Sequence, residues 1–112
     1  MTRVEVVATA TGDGWECTVN VHDRGQTQHR VRVTQMDLAR LDPDAADPVA
    51  LVRASFDFLL EREPKESILP VFDLSVIGRY FADYETEIGG RLSHQPNRGA
   101  FAPLTNGPRG AR

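Results

Sequence analysis

The chain has 112 residues, with 13 basic and 16 acidic side chains, three histidines and a formal net charge of −3. That length suits one domain with its own core, and a single cysteine, Cys17, excludes an internal disulfide and a cysteine-based zinc site. The charge is uneven: residues 1–93 hold ten basic against sixteen acidic groups, a net −6, whereas Arg98, Arg109 and Arg112 sit in an acid-free tail.

An acidic body lacks the electrostatic term behind non-specific nucleic-acid binding, which disfavours nucleic acid as a partner. Lysine occurs once, at Lys65, and the arginine excess reads as the coding bias of a GC-rich genome rather than phosphate recognition. The first residues lack the apolar run of a signal peptide, and no segment has the length and hydropathy of a membrane span. The expectation is a cytoplasmic protein with no membrane partner.

Up to Thr34 the apolar residues alternate with polar ones: Val4, Val6 and Ala8, then Trp15, Cys17, Val19 and Val21, then His29, Val31 and Val33. This period of two predicts strands at about 3–10, 15–22 and 26–33. Gly12-Asp13-Gly14 supplies the first turn. The second turn is Asp23-Arg24-Gly25, read as a type I turn closed by a glycine bulge. That odd-length loop pairs Val19 with His29 and Cys17 with Val31 inside, and Thr18 with Arg30 and Glu16 with Arg32 outside.

Beyond Thr34 the period becomes helical. Thr34 with Asp37 forms a capping box for a short helix over 34–41, and Asp42 to Asp47 is an acidic loop. Asp47 caps a main helix running to about Glu61, with Pro48 in its first position. The apolar arc of that helix (Val49, Leu51, Val52, Phe56, Phe58, Leu59, Leu60) is wider than one sheet face requires. Pro64 stops it, and a further turn follows at Lys65. Ile68 to Phe72, interrupted by Pro70, reads as a buried connector. Asp73 then caps a last helix, with Phe72 and Ile77 as its staple. Leu74, Ile77, Phe81, Tyr84 and Ile88 form the buried stripe, and Gly89-Gly90 ends it.

The fold expected is therefore α+β: a three-stranded antiparallel meander with two main helices and one short helix packed on one face. Residues 1–92 form the domain. Residues 93–112, rich in Gly, Pro and Asn, are read as a disordered tail.

Candidate chemistry is sparse. His22 falls on the outer face of the sheet and His29 on the inner face, while His94 is in the tail, so these and Cys17 do not converge on a metal. No catalytic constellation surrounds Ser67 or Ser75, Cys17 lies mid-strand among apolar neighbours, and no glycine loop precedes a helix to cradle phosphate. Catalytic, cofactor and metal residues are thus expected to be none.

The stretch from Arg62-Glu-Pro-Lys-Glu-Ser-Ile-Leu-Pro-Val-Phe-Asp-Leu-Ser-Val-Ile-Gly-Arg-Tyr-Phe to Tyr84-Glu-Thr-Glu-Ile88 resembles a family of small bacterial proteins without an assigned activity. The likeness covers residues 3–88 and transfers no functional residues. A weaker resemblance is to HicB-type antitoxins, which also begin with a short antiparallel sheet followed by a helix.

The leading expectation is a non-enzymatic protein-interaction or regulatory module, homodimeric or bound to a protein partner. Its candidate surface comprises Arg53, Phe58, Arg62, Lys65, Arg30 and Arg32. One alternative is a small enzyme or enzyme subunit with a pocket around His29, Arg62 and Lys65. The other is an antitoxin-like, nucleic-acid-associated protein using Arg30, Arg32 and the tail arginines.

Overall fold

The alternating segments form three strands, β1 (Arg3–Ala10), β2 (Gly14–His22) and β3 (Gln26–Thr34), joined as an antiparallel meander. The computed structural model describes residues 2–93, and the tail assigned to 93–112 lies outside the described residues from position 94 onward. The register is the one parity dictates: Val6 pairs with Val19, Val19 with His29, Cys17 with Val31 and Glu16 with Arg32. Even residues of β1 and odd residues of β2 and β3 therefore share one face. Cys17, Val19, Val21, Val31 and Val33 are fully buried there.

Both turns have definite steric requirements. A Cβ on Gly14 would lie 2.1 Å from the Val33 carbonyl oxygen, so only glycine lets β2 approach β3 at its start. The second turn is not the type I turn expected. Arg24 has φ 55° and Gly25 φ 115°, so two successive residues are left-handed and only one is glycine.

Helix α1 (Gln35–Leu41) follows β3 without a loop. Thr34 Oγ1 accepts from the Asp37 N–H at 3.0 Å, and the Asp37 carboxylate accepts from the Thr34 N–H at 3.1 Å. Helix α2 (Val49–Leu60) opens with the Asp47 carboxylate accepting from the Val49 N–H at 2.9 Å, and Pro48 accepts the first intrahelical bond from Val52. After Pro64, Lys65–Ser67 winds one 3₁₀ turn.

The connector reading of residues 68–72 is corrected. Val71–Asp73 is a fourth strand, β4, pairing in parallel with β3 so that the sheet order is β1-β2-β3-β4. Pro70 does not prevent this, because it contributes a carbonyl rather than an N–H: it accepts from Arg30 N–H at 2.7 Å. Asp73 consequently lies in the strand and pairs with Arg32 at 3.4 Å instead of capping a helix.

The last helix is also two helices. Helix α3 (Val76–Tyr80) ends as Phe81 turns extended, and α4 (Tyr84–Ser93) restarts three residues later. Gly89 and Gly90 do not end α4; burial of Leu92 carries the helix past them.

The wide apolar arc of α2 is explained within the chain. The sheet takes one side of the helix and α4 another, so Leu51, Val52, Ala54, Ser55, Phe56, Phe58 and Leu59 are all buried. Arg53 and Asp57 are exposed, and Val49, Ala50 and Leu60 at the two helix ends are half-buried. An arc that wide therefore needs no second molecule to cover it.

Candidate functional site

Helix α2, the turn after it, β4 and α3 meet around an open cleft of about 410 Å³. Leu59 forms part of its floor, with Ile68, Phe72 and Ile77. Leu69, Tyr80 and Phe81 also line it. A second hollow continues past Leu69, Phe72, Val76 and Tyr80 to Val71, Arg32 and Arg79.

The exposure of this region is its distinguishing property. Among the described residues five large apolar side chains are exposed, and three of them border these hollows: Leu69 at 49%, Val71 at 59% and Tyr80 at 72%. The neighbouring Phe72 and Ile77 are buried, so the patch continues into the core. Chemically the cleft is plain. Its polar groups are Glu63, Ser67 and the Tyr80 hydroxyl, with no histidine, cysteine or lysine beside them and no partner carboxylate for acid–base work.

Two of the candidate surface residues are not on the surface. Phe58 is fully buried, with Phe81 and Tyr84 edge-on to its ring at 5.6 and 5.4 Å. The Arg62 guanidinium lies 3.7 Å over the same ring. Lys65 is also buried; its stem packs inward and its ammonium donates to Glu66 at 2.6 Å. That bond holds the exposed Glu66 carboxyl below its ordinary range.

Arg62 itself is an internal clasp. It donates to the Phe58 carbonyl at 3.1 Å and to Asp83 at 3.0 Å, tying the end of α2 to the start of α4. Arg91 makes the matching tie from α4, donating to Glu61 at 2.6 Å, which lowers the Glu61 carboxyl. Arg53, Arg30 and Arg32 are exposed as expected. Arg30 lies 4.0 Å from Glu16 and Arg32 3.4 Å from Asp73, so each cation of this sheet face sits beside an acid.

None of His29, Arg62 and Lys65 lines the cleft. His29 is buried against Phe56, with ring centroids 5.3 Å apart. Its Nδ1 lies 2.8 Å from the Leu69 carbonyl and its Nε2 2.9 Å from the Thr27 hydroxyl. A carbonyl only accepts, so Nδ1 carries a proton, and in the neutral ring the Nε2 lone pair receives the Thr27 hydroxyl. That leaves no lone pair for a substrate. His29 instead pins the chain entering β4.

Cys17 is equally closed to chemistry, since burial, with Asp47 adding to it, pushes its thiol up to about 11. Among the described residues no group of three His, Cys, Asp or Glu side chains is placed to hold a metal ion. No helix among them is long and apolar enough to cross a membrane.

The chain matches no protein-family model, no curated protein and no solved structure.

The site is therefore read from its own chemistry. Sequence periodicity missed it because its wall depends on β4 and on the turn at Phe81. The signal that could have found it was the run Ile68-Leu69-Pro70-Val71-Phe72, whose consecutive apolar residues cannot all face one core.

Proposed function

We propose that the protein is a non-enzymatic interaction module that binds a short apolar segment of a protein partner in the cleft between α2, β4 and α3. One observation carries this reading: Leu69, Val71 and Tyr80 cluster around a cleft lined by core residues, while most other large apolar groups among the described residues are buried. An aromatic at the rim of an apolar hollow is also the residue type that anchors protein interfaces.

Comparison of variants in an affinity pull-down tests the proposal. Proteins captured by the wild type are lost with a Leu69→Ser/Tyr80→Ser variant and retained with an Arg30→Ala/Arg32→Ala variant. Retention by the cleft variant, or loss only on the arginine face, would move the working surface elsewhere.

A further inference from the structure

We propose that the free edge of β1 pairs antiparallel with β1 of a second copy about a two-fold axis through Val7, joining two four-stranded sheets into one. The proposal stands independently of the cleft, which lies at the opposite side of the sheet beside β4.

Strand β1 is eight residues long and is the outer strand of its sheet. The Thr11 N–H donates to the Gly14 carbonyl at 2.8 Å, which fixes the phase of the ladder. Odd residues of β1 bond to β2. The N–H and C=O groups of Val4, Val6, Ala8 and Ala10 point to the free edge, and no other element among the described residues hydrogen-bonds to them. The edge has few of the usual protections. It contains no proline or bulge, its two charged side chains, Arg3 and Glu5, pair with each other at 3.2 Å on the outer face, and its inner-facing side chains are Val4, Val6, Ala8 and Ala10. Val4, Val6 and Ala8 are only partly buried, and Val7, on the opposite face, is 61% exposed.

Charge and parity select the register. Both inner faces fall on one side only if the axis passes through a residue. An axis through Glu5 sets two carboxylates directly opposite, and one through Val6 sets them on the diagonal. An axis through Val4 pairs only the first few residues. The axis through Val7 pairs Val4 with Ala10 and Val6 with Ala8 of the second copy, using every free N–H and C=O. It also sets Glu5 opposite Thr9 and brings Arg3 to the second copy's Thr11–Asp13 turn, where Asp13 is exposed. Val7 then packs on Val7 in a non-hydrogen-bonded pair, with Cα atoms about 4.5 Å apart.

That spacing lies within disulfide range, and the native Cys17 is buried, so an introduced cysteine reports the register. Sedimentation of the wild-type chain should give twice the chain mass, and Val7→Lys should return it to the chain mass with an unchanged circular-dichroism spectrum. Val7→Cys should form an intermolecular disulfide in air, while Thr9→Cys, facing Glu5, should not. A wild type that sediments at the chain mass overturns the proposal. So does a dimer in which Val7→Cys fails to cross-link, or in which Thr9→Cys cross-links equally well.

Discussion

The hydroxyls of Ser55 and Tyr84 lie 2.7 Å apart inside the core and join α2 to α4. Ser55 donates its own hydrogen to the Leu51 carbonyl at 2.8 Å, so Tyr84 is the donor of the pair. The roles are therefore unequal. Ser55→Ala strands a buried phenol and should cost about 1–3 kcal/mol, whereas Tyr84→Phe leaves Ser55 bonded to Leu51 and should cost about 1 kcal/mol. The double variant should lose less than the two single losses added together. Urea unfolding of the three variants measures this coupling.

The same phenol gives an alkaline signature. Burial pushes the Tyr84 hydroxyl from 10.0 up to about 12. The unfolded chain releases that proton first, so the stability linked to it is complete below pH 10 and is lost as pH rises toward 12. Unfolding midpoints measured across that window should fall for the wild type. The Tyr84→Phe variant should show a shallower decline.

Gly14 and Gly12 share a turn but differ in what surrounds them. A Cβ at Gly14 meets the Val33 carbonyl oxygen at 2.1 Å and Thr34 Cα at 2.7 Å, while one at Gly12 meets nothing within 4 Å. Gly14→Ala should lower stability by about 1–3 kcal/mol or more as the strands are forced apart. Gly12→Ala should stay within about 0.5 kcal/mol of the wild type. Thermal unfolding of the two variants distinguishes them.

The neutral His29 ring should be the Nδ1–H tautomer, because the Leu69 carbonyl accepts from Nδ1 and the Thr27 hydroxyl donates to Nε2. Nitrogen-15 shifts of the imidazole measure the tautomer. A ring with Nδ1 unprotonated would break the tie between β3 and the chain entering β4.

Cys17 should be inert in the folded protein. Its thiol, pushed to about 11, is buried in mid-sheet, so a disulfide reagent at pH 8 should modify it only after denaturant is added. Modification at the same rate with and without denaturant would contradict its placement.

The parts of this fold that were legible in the sequence are those set by near neighbours. Alternation, the odd-length second loop, and opposite charge at Glu16 and Arg32 determine the meander and its register. Thr34 and Asp37 determine the start of α1 in the same local way. What was hidden depends on distant partners. Strand β4 exists because the Arg30 N–H meets the Pro70 carbonyl and the Leu74 N–H meets the Arg32 carbonyl, forty and forty-two residues away in the chain. The break itself, Phe81 to Asp83, contains no proline or glycine, and Gly78 lies within α3 rather than at its end. Phe81 leaves the helix to stand edge-on to Phe58, yet Ile77, Phe81, Tyr84 and Ile88 keep a helical spacing throughout. The burial of Phe58 was hidden for the same reason, since Arg62, Phe81 and Tyr84 converge on it only in three dimensions. The cleft is built from these long-range features, so it could not be read before they were.

A hydrogen-exchange footprint, comparing the free chain with the chain in a complex recovered through it, locates the binding surface. Slower exchange is expected at residues 68–72 and 76–81, with little change in β2. Protection confined to the outer sheet face around Arg30 and Arg32, with none around Leu69 and Tyr80, would contradict the cleft as that surface.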